Sequence, residues 1–189
     1  VSIAMTFGMA GIAINFAPIF WGTEFTYSGK LIMLLAITLP FTTLSNIVRN
    51  QDLIPNGKDK LYSLAIVISA AVNLFANWLL IPKYQAVGAC IGTIIAEFLV
   101  FVIQMLMVNK SIPYWKYIRN SMVFLIPGLI MFIIVYFIGD KFNKGCFTLV
   151  VQIGFGGIIY LVLSGWILWV SNDSEFKQII NRIRGVSGN

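Results

Sequence analysis

Six long apolar runs separated by short polar turns leave this chain few ways to fold. They fall at residues 1–21, 31–48, 61–81, 86–108, 118–138 and 146–170, most of them near the roughly 20 residues that cross a bilayer as a helix. Inside hydrocarbon every backbone N–H and C=O must find a partner within the protein, and a helix supplies those partners locally. The two-residue alternation of a membrane barrel strand is missing. The expected fold is all-α: a polytopic membrane bundle of about six transmembrane helices over residues 1–170. Composition agrees, with 59 % hydrophobic and 11 % charged residues, against about 25 % charged in a soluble domain.

Positive charge sets the expected orientation. Arg49, Lys58 and Lys60 lie in the segment 49–60, Lys110, Lys116 and Arg119 in 109–119, and Lys177, Arg182 and Arg184 in the tail 171–189. These alternate segments hold nine of the 13 basic residues, with Lys30, Lys83, Lys141 and Lys144 on the other side. The basic segments and the carboxyl terminus are therefore expected in the cytoplasm. The net charge of +6 is read as this topology signal. No base-stacking motif accompanies it, so nucleic acid is not an expected partner.

Polar residues within the runs mark the candidate site. In the second run Thr38, Thr42, Ser45 and Arg49 follow i, i+4, i+7, i+11 spacing and share one helix face, with Asn46 beside it. Pro40 interrupts the backbone ladder of the same run. Two readings stay open: a cavity wall, or hydroxyls bonding back to the carbonyl four residues earlier. In the third run Ser69, Asn73 and Asn77 are each four apart. An asparagine amide in hydrocarbon is costly unless bonded, so these face neighbouring helices or water.

The third run meets the fourth in a very tight hairpin, Ile81-Pro82-Lys83-Tyr84 leading into Gly88-Ala89-Cys90-Ile91-Gly92. Gly88, Gly92 and Ala96 form a small-residue seam for close helix packing. Thr93, Glu97 and Gln104 occupy a neighbouring face. Glu97 is the ionisable group well inside an apolar run, which makes it a functional candidate. Its alternative is a neutral carboxyl bonded to Asn73 or to a threonine.

The remaining runs are plainer. The first is rich in Gly and Ala, suiting close packing in a bundle. The fifth has Pro127-Gly128 near its centre, a kink signal. The sixth places Thr148, Gln152, Gly156, Tyr160 and Ser164 four apart, a face expected to be buried. The turn Asn50–Lys60, with Pro55-Asn56-Gly57, reads as a solvated loop. Residues 171–189 carry Phe176, Ile179, Ile180 and Ile183 opposite basic residues, the pattern of an amphipathic helix on a membrane surface. Cys90 and Cys146 read as free packing residues.

Catalytic chemistry finds little support. The chain has no His, no metal-ligand cluster, no nucleophile–base pair and no phosphate-binding loop of the Gly-x4-Gly-Lys-Ser/Thr type. No enzyme activity, cofactor or metal is expected.

The stretch from Asn46 to Gln104, with Asn-Gly-Lys-Asp-Lys at 56–60 and then VNLFANWLLIPKYQAVGACIGTIIAE at 72–97, resembles the carboxyl-terminal lobe of bacterial polysaccharide flippases. These belong to the multidrug, oligosaccharidyl-lipid and polysaccharide exporter superfamily. The chain departs from their pattern at Gln85, where Gly is usual, and at Cys90, where Ala is common. It begins at Val1 and enters an apolar run at once, without a signal peptide's charged segment and cleavage site. It is read as the carboxyl-terminal part of a longer, two-lobed transporter. The resemblance implies a multi-pass protein of the bacterial plasma membrane that moves undecaprenyl-diphosphate-linked oligosaccharide repeat units outward for capsule or O-antigen synthesis. Its implied partners are that substrate, membrane lipids, the amino-terminal lobe and polysaccharide polymerase machinery. On charge and placement, Arg49 is assigned to the diphosphate and Thr42, Asn46, Asn73, Asn77 and Gln104 to sugar hydroxyls. Glu97 is assigned to proton coupling. The alternative is a cation-coupled multidrug exporter of the same superfamily.

Overall fold

The computed structural model describes residues 1–108, 114–142 and 145–170; the tail 171–189 and its expected amphipathic helix lie outside the described residues. Every regular element among the described residues is helical. In order they are α1 (Ser2–Trp21), α2 (Thr26–Leu35), α3 (Thr38–Val48), α4 (Asp59–Met107), α5 (Tyr114–Ser121), α6 (Leu125–Lys141) and α7 (Cys146–Val170). Short 3-10 turns at Thr23–Phe25 and Met122–Phe124 and a π-helical turn at Arg49–Leu53 join them.

The spans Ser2–Trp21, Asp59–Met107, Ile118–Lys141 and Cys146–Val170 are long and apolar enough to cross a membrane, and Thr23–Leu35 with Thr38–Leu53 forms a fifth, bent by 44°. The bend obeys Pro40. A proline clashes with the carbonyl four residues earlier, here Ala36, and the chain leaves the helix at Ala36-Ile37. Pro127 acts in the same way in the first turn of α6. The residue four before it is Val123, and the chain runs as a 3-10 turn over Met122–Phe124 before α6 begins. The expected mid-helix kink is thus a change of helix type near the start of α6.

α4 is two limbs folded back on each other, which turns five crossings into six. The reversal takes a single residue, Gln85, at φ 51° and ψ −128°. That is tighter than the four-residue break expected at 82–85, and Pro82 stays within the helix. A conformation that glycine prefers is here adopted by glutamine, at a cost of about 1 kcal/mol or more. The limbs touch along the small-residue seam: Gly88, Gly92 and Ala96 are all buried. A Cβ added to Gly88 would meet the backbone of Leu80 at 2.5 Å.

The second limb of α4 lies beside α3 through Phe41, whose ring sits 5.2 Å from Phe98 and 6.0 Å from Phe101. α1 packs on α2, α6 and α7. Gly29 of α2 is pressed so close to α1 that a Cβ there would lie 2.7 Å from the Ala13 carbonyl oxygen. On α7, Thr148, Gln152, Gly156 and Ser164 are buried as their spacing implied, with Tyr160 partly exposed. The large side chains left outside, among them Leu74, Phe75, Trp78, Leu106, Phe147 and Leu161, are all exposed.

Candidate functional site

Two of the candidates within the apolar runs meet. Thr42 on α3 places its hydroxyl 3.1 Å from Glu97 Oε2 on the second limb of α4, and 3.0 Å from the Thr38 carbonyl. The back-bonding reading of the α3 stripe is therefore realised at Thr42, which also bonds across to α4. Thr38 itself bonds back to Leu35 O at 2.8 Å. Of the two partners weighed for Glu97, the threonine is the one found. A hydroxyl has one proton for these two acceptors.

Further along the stripe the helix changes pitch. Ile54 N–H bonds to Arg49 O at 3.0 Å, five residues back, so Arg49–Leu53 winds as a π turn. The guanidinium carbon of Arg49 sits 5.0 Å from the centre of the Tyr62 ring, a cation–π distance. Arg49 Nε and Ser45 Oγ are buried without a hydrogen-bond partner. Asn46 is exposed, whereas Gln104 is 1 % exposed and its Oε1 has no partner. Asn73 and Asn77 turn inward to the hairpin seam rather than to an open cavity, with both Oδ1 atoms against Gly92.

Most of 50–60 is exposed, as a solvated loop requires, but the π turn makes an exception of two residues. One extra residue per turn rotates the succeeding positions, and Asp52 and Leu53 come to lie fully inside, at 0 % exposure. Asn56 Nδ2 donates to Asp52 Oδ1 at 3.0 Å and to Asp52 O at 2.7 Å. Lys58 Nζ lies 3.8 Å from Asp52 Oδ2 and donates to Met107 O at 3.3 Å. Lys58 thereby ties the end of α3 to the end of α4. Tyr114 of α5 packs with Val48 and Leu53 against Tyr62, Met105, Met107 and Val108. The basic segment 49–60 thus meets the start of α5 at one end of the bundle, as its charge implied, with the Gln85 reversal at the other.

Burial, and then the Asp52 carboxylate, hold the Tyr114 phenol above its ordinary range. A raised value in the folded protein means a contribution that is complete below the unfolded phenol value of about 10 and is lost as pH rises past it. The Tyr114 hydroxyl is buried without a partner. Tyr114→Phe is therefore expected to leave stability at pH 7 within about 0.5 kcal/mol and to flatten the alkaline fall of the unfolding midpoint. Thermal scans from neutral to alkaline pH, beside the parent, measure this.

A second polar contact joins residues that their sequence positions do not pair. Asn15 of α1 donates to Gln152 Oε1 of α7 at 3.4 Å, and Gln152 donates to Val135 O of α6 at 2.8 Å. Both side chains rest on Gly139, where a Cβ would collide with them. The signal was present in two polar amides within apolar runs. Their pairing depends on the convergence of α1, α6 and α7.

Cys90 and Cys146 are free, the first buried and the second exposed. Among the described residues no group of three or more Cys, Asp or Glu is placed to hold a metal ion.

No known family model matches the chain, and no solved structure matches it. Two curated proteins are similar. An uncharacterised membrane protein of Methanocaldococcus jannaschii is 26 % identical over 168 residues, covering 87 % of this chain and 32 % of its own length. A candidate O-antigen transporter of Shigella dysenteriae is 26 % identical over 98 residues, covering 52 % of this chain and 25 % of its own length. The chain thus spans a third or less of the curated relatives it matches. It is an all-α, multi-pass membrane protein, with similarity over half its length to a candidate transporter.

Proposed function

We propose that the chain is part of a membrane flippase that moves lipid-linked oligosaccharide repeat units, carried on a polyprenyl diphosphate, across the bacterial plasma membrane for surface-polysaccharide synthesis. The observation that carries this reading is the polar line on α3. It runs from Thr42, bonded to Glu97, through buried Ser45 to Arg49 braced on Tyr62 at the basic end of the bundle. Similarity to a candidate O-antigen transporter supports it. Arg49 is the cation for the diphosphate at the cytoplasmic mouth, where Asn46 stands exposed to meet sugar hydroxyls. Gln104, Asn73 and Asn77, enclosed within the packing, are less suited to that contact than their spacing implied. Glu97 carries the coupling proton, with the Thr42 hydroxyl as its hydrogen-bond partner. No chemical step is assigned to the protein, and the amino-terminal lobe and polymerase machinery are its proposed partners.

The test is complementation with the full-length parent gene in a bacterium deleted for its own repeat-unit flippase, read as surface polysaccharide. Recovery is expected. Arg49→Ala is expected to lower it about tenfold or more, the effect of losing a charge-assisted contact. Glu97→Gln is expected to remove its dependence on external pH. Normal export by Arg49→Ala removes the diphosphate role. Drug efflux without polysaccharide recovery, in several hosts with confirmed expression, replaces this reading with the multidrug exporter.

A further inference from the structure

At the basic end of the bundle α3 has two faces of different content. Thr42 and Arg49 reach α4, one to Glu97 and the other to the Tyr62 ring. Leu44, Ile47, Val48 and Gln51, at i, i+3, i+4 and i+7, share the far side of the helix. They line a cleft of about 250 Å³, closed by Met105 of α4 and by Tyr114, Ile118 and Ser121 of α5. From Gln51 back to Leu44 it runs about 10 Å along α3, away from the basic turn and into the apolar run. Its walls are apolar and its rim is polar, with Gln51 and Ser121 both exposed.

Two groups at this cleft await a ligand of definite chemistry. Tyr114 is 7 % exposed and its hydroxyl has no hydrogen-bond partner, so a donor stands buried at the wall at a cost in free energy. Trp115 and Arg119, four apart on the adjoining face of α5, are exposed, Trp115 at 71 %. Among the described residues Arg119 pairs with no carboxylate. A tryptophan beside a cation at the end of an apolar bundle belongs at the headgroup level of a bilayer. The occupant must therefore be apolar along the cleft, offer an oxygen acceptor to Tyr114 and end in a negative charge near Arg119. A peptide or a sugar brings donors that these walls do not satisfy. A phospholipid supplies acyl chain, ester carbonyl and phosphate in that order, and basic pockets at the membrane surface take acidic headgroups.

We infer that the cleft between α3, α5 and the end of α4 binds one anionic phospholipid, its acyl chain against Leu44, Val48 and Ile118. Tyr114 donates to an ester carbonyl, and Arg119 meets the phosphate. The site lies on the side of α3 away from the line from Thr42 to Arg49, so it does not depend on the substrate assigned to that line.

The experiment uses the purified full-length parent in a maltoside detergent. Its unfolding midpoint is followed against added phosphatidylglycerol, and separately against phosphatidylcholine with the same acyl chains. A ligand that binds only the folded state stabilises by RT ln(1 + [L]/Kd), so a saturable rise is expected for both, at lower concentration for phosphatidylglycerol. Arg119→Gln is expected to raise the half-saturating phosphatidylglycerol concentration about fivefold and to leave phosphatidylcholine unchanged. Tyr114→Phe, which matches the parent at neutral pH without added lipid, is expected to raise both about fivefold, because the ester carbonyl is common to the two. Ile118→Trp, which fills the cleft, is expected to abolish the response. Equal curves for the two lipids in the parent overturn the inference, as does an unchanged phosphatidylglycerol curve in Arg119→Gln. Undecaprenyl phosphate is the competing anionic lipid: a response to it that Ile118→Trp removes, while the phosphatidylglycerol response survives, gives the cleft to a polyprenyl chain and also overturns the inference. If Ile118→Trp does not fold, the Arg119→Gln and Tyr114→Phe titrations decide.

Discussion

Gly88→Ala is expected to cost about 3 kcal/mol or more and to leave little monodisperse protein after extraction. The added Cβ would sit 2.5 Å from Leu80 O, 2.6 Å from Leu80 C and 3.0 Å from Ile81 N. All three are backbone atoms, so no rotamer change relieves the overlap and the limbs of α4 must move apart. Separation at Gly88 also loosens Gly92 and Ala96, one and two turns along the same seam, and moves the second limb away from α3, where Glu97 meets Thr42. Gly154→Ala is the control. A Cβ there meets nothing within 4 Å, and the helix gains about 0.5–1 kcal/mol from replacing glycine. Size-exclusion profiles and unfolding midpoints of the two full-length variants measure the contrast. A Gly88→Ala protein with the parent's yield and midpoint would show that the hairpin does not pack through this seam.

Removing the Asp52 carboxylate is expected to be the next most damaging change, at about 3 kcal/mol for Asp52→Ala. Its side chain is 1 % exposed and that of Lys58 is 30 %, so the loss takes the carboxylate from Lys58 Nζ beside an apolar cluster, while Asn56 Nδ2 keeps the Asp52 carbonyl. Lys58 can still reach Met107 O and water, which limits the damage on its side. Lys58→Met is therefore expected to cost less than Asp52→Ala, and the double variant less than the sum, because the second change removes the charge that the first leaves unpaired. Unfolding midpoints of the three variants test this. Strict additivity of the two single effects would mean that the carboxylate and the ammonium act independently, against the geometry at the end of α3.

Much of the architecture was legible in the chain because the bilayer acts on composition. Apolar runs of spanning length leave helices as the economical solution. The run at 146–170 coincides with α7, and the first run misses α1 by one residue. Pro40 marked the bend between α2 and α3 through a local steric clash, and Gly88, Gly92 and Ala96 marked the hairpin seam through spacing alone. Glu97 was singled out because an ionisable group in hydrocarbon needs a reason, and Thr42 was found as its partner on the neighbouring helix.

What the spacing left open depended on which helices become neighbours and in what register. Asn73 and Asn77 have the same four-residue interval whether they face a cavity or a partner limb; the reversal at Gln85 turned them onto Gly92. Asp52 read as a loop charge until a single π turn, invisible to a 3.6-residue period, rotated it inward beside Lys58 and Tyr114. Asn15 and Gln152 are 137 positions apart, and no local pattern connects them. Local chemistry selected the helices, their breaks and their buried faces, since those derive from each residue's own solvation and sterics. The pairing of polar groups across helices came only with the packed bundle, because a buried amide or carboxylate takes whichever partner the fold brings within about 3 Å.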